Sequence, residues 1–288
     1  MKITVHRPNQ IGGCITEIES NIGTRIIIDV GSNLKGQQNN EKVDVESITS
    51  PDRCAGVFVT HYHGDHIGEY TKVHKDTDVY IGEAAKKIFS TLQNKLSKNE
   101  EYTDVSPADA ERVNHFKTFV HGKPIPKIPG FKITPIRTDH SAYDSYMFLI
   151  DDGDKCVLHT GDFRSHCWTG ESVMDSISKH ADKVDALICE GTMLSRQSGK
   201  VYTENDLRAD AKKLFHHNKN VFVLCSSTNI DTIASLYHAA WGFACLFAPR
   251  LFLRSLLTFF PTTSSFTPCG KGIWKKASFI LTLTKSIS

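Results

Sequence analysis

The chain opens on a short run, Met1-Lys2-Ile3-Thr4-Val5, in which apolar and polar positions alternate. Residues 3–6, 14–19 and 25–30 read as short strands, the first of them alternating and the last an apolar run, and turns are marked by Pro8-Asn9-Gln10 and Asn21-Ile22-Gly23. Residues 31–46 are polar and read as loop. Residues 57–60, Val-Phe-Val-Thr, form a buried-strand run, and the chain is expected to turn helical just after His66. A strand at 79–82 leads into a strong helix over 83–98, whereas 100–121 mixes its signals. Strand patterns return at 131–138, 146–150 and 156–160. The pattern then alternates: a helix from Glu171, a strand at 186–189, a helix at 204–216, a strand at 221–225 and a helix at 229–240. Early antiparallel strands followed by alternating strand and helix predict an α/β protein of layered sheets with helices outside.

Composition agrees with a folded chain. At 288 residues, 40% apolar and 23% charged, it can bury one large or two ordinary cores and has the balance of a soluble globular protein. The start, Met1-Lys2-Ile3-Thr4-Val5, shows no basic region, long apolar run or cleavage site, so a cytoplasmic location is expected. The eight cysteines, Cys14, Cys54, Cys156, Cys167, Cys189, Cys225, Cys245 and Cys269, are scattered and include no Cys-x-x-Cys pair. They read as mostly buried thiols in a reducing compartment rather than a disulfide framework.

The net charge of +2 hides a split. Residues 241–288 hold six basic residues and no Asp or Glu, leaving 28 Lys and Arg against 32 Asp and Glu in residues 1–240. The same tail holds seven of the sixteen phenylalanines and shows no clear period. Three readings compete for it: a basic, aromatic grip on single-stranded nucleic acid, a membrane segment over 242–260, or sequence unlike the rest, such as a frameshift or truncation produces. Arg250 and Arg254 lie within the second candidate. Each costs about 2.5 to 3.5 kcal/mol near the centre of a spanning helix, so no membrane association is expected.

Chemistry concentrates in residues 58–68, Phe-Val-Thr-His-Tyr-His-Gly-Asp-His-Ile-Gly, where His61, His63, Asp65 and His66 place four metal-ligating side chains within six positions. Imidazole and carboxylate suit Zn²⁺ or a similar divalent ion, and a loop at a strand end can converge side chains that a regular element would separate. His61 and His63 point the same way from an extended segment, while Asp65 and His66 follow the turn at Gly64 and can address a second ion. A structural zinc takes four ligands and a catalytic one about three plus water, so more must come from elsewhere. Two later strand ends offer them: Thr138-Asp139-His140-Ser141 and His159-Thr160-Gly161-Asp162-Phe163-Arg164. Asp162 is the candidate bridge between two ions about 3.5 to 4 Å apart. Asp29, which closes the run Ile26-Ile27-Ile28, is expected to orient a ligand or the attacking water. Asp65 and Asp29 are thus the carboxylates assigned to catalysis.

This set resembles the metallo-β-lactamase superfamily, whose hallmark is His-x-His-x-Asp-His after a strand. Asp29 matches the first family motif, His61, His63, Asp65 and His66 the second, His140 the third and Asp162 the fourth. Within the superfamily, Asp139-His140-Ser141, the 159–164 segment and Cys189-Glu190-Gly191-Thr192 are similar to the β-CASP nucleases, the branch of ribonuclease J and the Artemis-type DNA repair enzymes. Glu190 matches the acidic residue of that branch's first insert motif, and residues 221–231 resemble the start of its nucleotide-clamping insert.

The resemblance covers residues 1–240. It implies an αββα sandwich with the site at one edge between two sheets: a metallo-β-lactamase domain at 1–190, a partial β-CASP-like α/β segment at 191–240, and an atypical basic, aromatic tail at 241–288. It implies Zn²⁺, two ions in an intact family member, held by His61, His63, Asp65, His66, His140 and Asp162, with Ser141, Arg164 and Glu190 toward substrate. Beyond Glu190 lie only His216, His217 and His238, none in the context that supplies the family's last metal-binding histidine. The second ion is therefore short of a ligand.

The function implied is hydrolysis of RNA, or DNA, phosphodiesters by a metal-bound hydroxide, with RNA or single-stranded nucleic acid as partner. The mode of cleavage, endo or exo, and homodimerisation stay open. The mild acidity of residues 1–240 does not favour broad nucleic-acid affinity, although a local basic groove could coexist with it. Two other readings stand beside this one: a hydrolase of small thioesters or lactones, and a metal-binding but catalytically silent remnant. Each residue also has an ordinary reading. His140 can be a buried structural histidine, Asp29 and Asp162 turn residues, Glu190 a helix cap or surface acid. Ser141 and Arg164 can satisfy neighbouring backbone, and His159 can support a ligand.

Overall fold

The computed structural model describes residues 1–34, 41–98, 104–166, 173–181, 183–194, 199, 201–218, 220–226, 228–240, 245–248 and 278–285. The chain forms two compact units, Met1–Arg164 with Glu171–Gln197, and Ser165–Gly170 with Ser198–Ser288.

The first unit contains β1 (Lys2–Val5), β2 (Thr16–Glu19), β3 (Arg25–Ile28), α1 (Val45–Ile48), β4 (Val57–Phe58), α2 (Gly64–Ile67), β5 (Val79–Gly82), α3 (Glu83–Leu96), α4 (Pro107–Arg112), β6 (Lys117–Phe119), β7 (Lys132–Thr138), β8 (Ser145–Asp151), β9 (Cys156–His159), α5 (Val173–His180) and β10 (Ala186–Ile188). One sheet runs β1-β2-β3-β4-β5-β6, antiparallel at first and parallel from β3 onward. The other runs β10-β9-β8-β7, with β10 parallel to β9 and the rest antiparallel.

The period of two explains how the sheets meet. Ile26 and Ile28 of β3, Phe58 of β4 and Tyr80 of β5 share one core with Ile133 of β7 and Tyr146, Phe148 and Ile150 of β8. Met147, the odd residue of β8, turns to the opposite face and packs with Ile136, Leu158 and Val173 of α5. On the first sheet, α3 packs on β5 and β6 with α4 beside it. The layers are therefore helix, sheet, sheet, helix, the expected αββα sandwich. Phe58 and Phe148, both fully buried, each contribute roughly 1.5–3 kcal/mol of apolar burial.

Several boundaries differ from the sequence expectation, each for a local reason. β3 stops at Ile28 rather than residue 30 because Asp29 takes a left-handed φ of 62°. The Val30 amide then donates to the His66 carbonyl (2.8 Å) instead of continuing the ladder. The helical turn α2 starts at Gly64, ahead of His66: the amides of His66 and Ile67 both donate to the His63 carbonyl, at 2.9 and 3.0 Å. α1 lies partly within the expected 31–46 loop. The mixed stretch 100–121 holds α4, opened by Pro107 and a capping box between Ser106 and Asp109, and then β6. α3 ends at Leu96 and is held at its start by Asp144, whose carboxylate accepts from the amides of Ala84 (2.9 Å) and Ala85 (3.0 Å).

The second unit contains α6 (Glu204–His217), β11 (Asn220–Ser226), α7 (Ile230–Ala240), β12 (Cys245–Ala248) and β13 (Ser278–Lys285). α6 and α7 pack through Ala211, Phe215, Ile233, Leu236 and Ala239, with Val221, Val223 and Cys225 of β11 against them. β13 pairs antiparallel with β11 and with β12. Two strands thus arise in the 241–288 segment, where the sequence shows no period. The start of the helix expected from Glu171, most of the 242–260 membrane candidate and five of the seven tail phenylalanines lie outside the described residues. Among the described residues no helix is long and apolar enough to cross a membrane.

Candidate metal centre

Four strand ends deliver the motif residues. Asp29 follows β3, His61 to His66 follow β4, His140 follows β7 and Asp162 follows β9. Close backbone approach makes the convergence achievable. A Cβ on Gly31 would lie 1.7 Å from the Asp65 carbonyl oxygen, so only glycine lets the β3 exit lie against the second motif.

Asp29 is completely buried and orders the site from beneath. Its Oδ1 accepts from the Thr60 amide (2.7 Å) and its Oδ2 from the Thr60 hydroxyl (2.8 Å), and Oδ2 also lies 2.8 Å from His66 Nδ1. A carboxylate only accepts, so His66 carries its proton on Nδ1 and turns Nε2 to the site. The single Thr60 hydroxyl proton faces two acceptors, Asp29 Oδ2 and the Gly161 carbonyl (2.7 Å). The Thr60 lone pairs are thereby left for His61 Nδ1, 3.0 Å away, which donates to them.

Two groups of donor atoms result, His61 with His63 and His140, and His61 with His66 and Asp162, each with all atoms within 4.8 Å of one another. His140 Nε2 lies 3.1 Å from His63 Nδ1, and His66 Nε2 lies 3.3 Å from Asp162 Oδ1. His140 Nε2 is 3.9 Å from Asp162 Oδ2. Nitrogen and oxygen donors on one zinc sit roughly 3.3 Å apart in a tetrahedral set. The strongest sign that these residues fit a cation is His61 Nε2, which is buried and has no hydrogen-bond partner. An orphaned buried acceptor costs about 1–3 kcal/mol, and imidazole with carboxylate is the donor set a divalent zinc-like ion would satisfy.

Electrostatics keep most of these imidazoles neutral, the form that ligates metal. Burial holds His61 well below the ordinary histidine range and lowers His63, with neighbouring histidines adding to the effect at His61. Burial also takes His140 down to about 3 and His159 to about 4. His66 is the exception: burial opposes its charge, but Asp29 and Asp162 outweigh it and raise it well above the ordinary range. Burial would raise Asp162, yet its bond with His66 and the charges of His66 and His140 hold it low. The contact between His66 Nε2 and Asp162 therefore calls for a cation, proton or metal, between them.

The remaining expected residues fall around these groups. Asp65 sits on α2 with Oδ2 4.0 Å from His66 Nε2 and its side chain about a quarter exposed. Ser141 is half-buried next to His140. Arg164 is engaged by Asp139: its Nε donates to Asp139 Oδ1 (3.0 Å) and its amide to the Asp139 carbonyl (2.8 Å). Glu190 accepts from the Phe163 amide (3.1 Å) and the Thr192 amide (3.4 Å). His159 lies beneath, with Nε2 3.3 Å from the Thr16 hydroxyl, while its Nδ1 accepts from the Gly161 amide at 3.2 Å. Sequence reasoning gave no role to Thr60 or to the side chain of Asp139. Their only sequence signal is adjacency to His61 and His140. Cys14, 3.9 Å from His66 Nε2, was equally hidden.

Residues 24–218 match the family model described as the beta-lactamase superfamily domain. Over 146 residues the chain is 27% identical to the human DNA cross-link repair 1A protein, which covers 50% of this chain and 12% of that protein. Over 143 residues it is 27% identical to ribonuclease J of Mycoplasma pneumoniae, covering 49% of this chain and 23% of the relative. The matched stretch spans less than a quarter of the length of either curated relative. A solved protein of unknown function from Enterococcus faecalis V583 has a similar fold, with a TM-score of 0.70 at 19% identity over 93% of this chain and 70% of that one.

Proposed function

This chain belongs to the beta-lactamase superfamily, and on that premise we propose that it is a metal-dependent hydrolase cleaving phosphodiester bonds of RNA or single-stranded nucleic acid. The observation that carries the reading is His61 Nε2, buried and unpartnered where His63, His66, His140 and Asp162 converge from separate strand ends. His61, His63 and His140 would hold one divalent ion. His66 and Asp162, with Asp65 beside them, would hold a second.

When bound, such ions polarise a phosphoryl oxygen and acidify water toward neutrality. The protein's own part is orientation and proton handling. Asp29 fixes the His66 tautomer through Nδ1, and Thr60 does the same for His61. Asp65, its side chain about a quarter exposed, would take the proton from water. Ser141, half-buried beside His140, would contact substrate. The likeness to a ribonuclease J and a DNA cross-link repair protein supports nucleic acid as substrate. The layered α6, β11 and α7 support reading residues 191–240 as a β-CASP-like segment. Free thiols at Cys14, Cys54, Cys156, Cys189 and Cys225 suit a cytoplasmic setting.

The engagement of Arg164 by Asp139 favours a second reading, hydrolysis of a small thioester or lactone, because it occupies a cation otherwise suited to phosphate. The test is turnover of single-stranded RNA, a generic phosphodiester and a thioester by wild type and His63→Ala. Phosphodiester cleavage lost in His63→Ala, with melting unchanged, supports the nuclease. Turnover of the thioester alone selects the second reading, and cleavage retained in the variant rejects the site.

A further inference from the structure

We propose that Asp139 and Arg164 form a positioning brace that ties the strand end carrying His140 to the loop carrying Asp162, so that Arg164 acts on cation affinity rather than on substrate phosphate. The inference rests on the metallo-hydrolase reading and deepens it. The Gly161 to Arg164 loop makes a sharp turn, with Gly161 at φ 57° and no room for a Cβ, which would lie 2.9 Å from that of Thr60. It is anchored at successive points: the Gly161 amide on His159 Nδ1, the Phe163 amide on Glu190, and the Arg164 amide on the Asp139 carbonyl. Of these anchors, the one at Asp139 reaches the segment that bears His140, and Arg164 Nε doubles it through Asp139 Oδ1 at 3.0 Å. The Asp139 side chain is 3% exposed and that of Arg164 14%. An ion pair so withdrawn from solvent is costly to break, which holds the two segments in one geometry.

The geometry matters to ligands two residues or fewer away. Asp162 must face His66 at 3.3 Å and His140 at 3.9 Å at the same time, which fixes two loops against each other. Partners that orient metal ligands in this way typically cost 10- to 100-fold in metal affinity when removed. An arginine that merely contacted phosphate would leave metal affinity alone.

The test measures zinc dissociation constants, by competition with a chromophoric chelator, and kcat and KM on single-stranded RNA, for wild type, Arg164→Gln, Asp139→Asn and the double variant. The brace predicts that both single variants lose about 10- to 100-fold in zinc affinity and lose kcat, with KM unchanged at saturating zinc. Asp139→Asn should match Arg164→Gln, and the double variant should be no worse than either. Because removing one charge of a buried pair can destabilise the unit, the double variant, which removes both charges, is the decisive protein. Wild-type zinc affinity in a double variant that melts normally overturns the brace. So does an Arg164→Gln effect confined to KM, with Asp139→Asn silent. Wild-type protein that binds no zinc sinks the metallo-hydrolase reading itself, and the brace with it.

Discussion

Asp29→Asn is the substitution whose consequence can be worked most fully from the structure. Asp29 meets three donors with two oxygens: the Thr60 amide at 2.7 Å, the Thr60 hydroxyl at 2.8 Å and His66 Nδ1 at 2.8 Å. Asparagine keeps the shape and tolerates the left-handed φ of 62°, whereas alanine there would add about 1–2 kcal/mol of backbone strain. Its amide oxygen satisfies the Thr60 amide, which places the NH2 against Thr60 Oγ1 and His66 Nδ1. His66 must then accept on Nδ1 and carry its proton on Nε2, the atom that faces Asp162. The lone pair aimed at the cation is lost. Disturbed outer partners of this kind cost about 10- to 100-fold in metal affinity, about 1.4 to 2.7 kcal/mol. Replacing charged by neutral hydrogen bonds removes a further 1–2 kcal/mol or so of folding stability per bond. The assay is zinc competition together with nitrogen NMR of the histidine rings, which reports which ring nitrogen is protonated. Zinc affinity within twofold of wild type, with His66 still protonated on Nδ1, would refute the reasoning.

Two further outcomes concern stability. In metal-stripped protein, burial holds His159 at about 4, below the roughly 6.5 of an unfolded histidine, so the unfolded chain binds more protons between those values. The contribution of His159 is therefore complete above about pH 6.5 and is lost as pH falls toward 4, on the order of 3 kcal/mol. His66, raised instead, contributes stability that is present below pH 6.5 and lost as pH rises through its folded value. Urea denaturation across pH should show both limbs, with His159→Gln flattening the acid one; an acid limb unchanged in that variant contradicts the assignment. In the second unit, Glu204 is buried and accepts from the hydroxyls of Thr232 (3.0 Å) and Ser235 (2.7 Å). Glu204→Ala should cost about 3 kcal/mol in urea midpoint analysis, since it removes a buried charged acceptor from two hydroxyl hydrogen bonds; a loss under about 0.5 kcal/mol would mean that water replaces the carboxylate.

The sequence made the first unit legible where chemistry and period coincide. His61, His63 and His66 fall within six positions of a buried strand, and the residues matched to the first, third and fourth motifs sit at other strand ends, so their meeting followed from the sandwich. β3 and β8 carry continuous apolar runs, Ile26-Ile27-Ile28 and Tyr146 to Ile150, so the sequence marked them as buried but did not tell one face from the other. What stayed hidden is non-local. Nothing in the spacing says that the Thr60 hydroxyl donates toward Asp29 and Gly161 while accepting from His61, or that Asp139 and Arg164, 25 positions apart, would find each other. The start of α2 was missed because His63 supplies the first carbonyl of that turn while also being a motif residue. α4 escaped because Pro107 reads as a breaker as readily as a helix start. β13 alternates only over Leu281-Thr282-Leu283-Thr284, too short a run to stand out in the tail, and its pairing with β11 is a contact across more than fifty residues.

The central claim is that separate strand ends supply donors to a shared divalent cation. Anomalous diffraction at the zinc absorption edge, on crystals of the full chain grown with zinc, locates the ion directly. The account predicts an anomalous peak among His61, His63 and His140 that disappears in His61→Ala. Zinc bound elsewhere, with those side chains packed as they are and no peak between them, would contradict it.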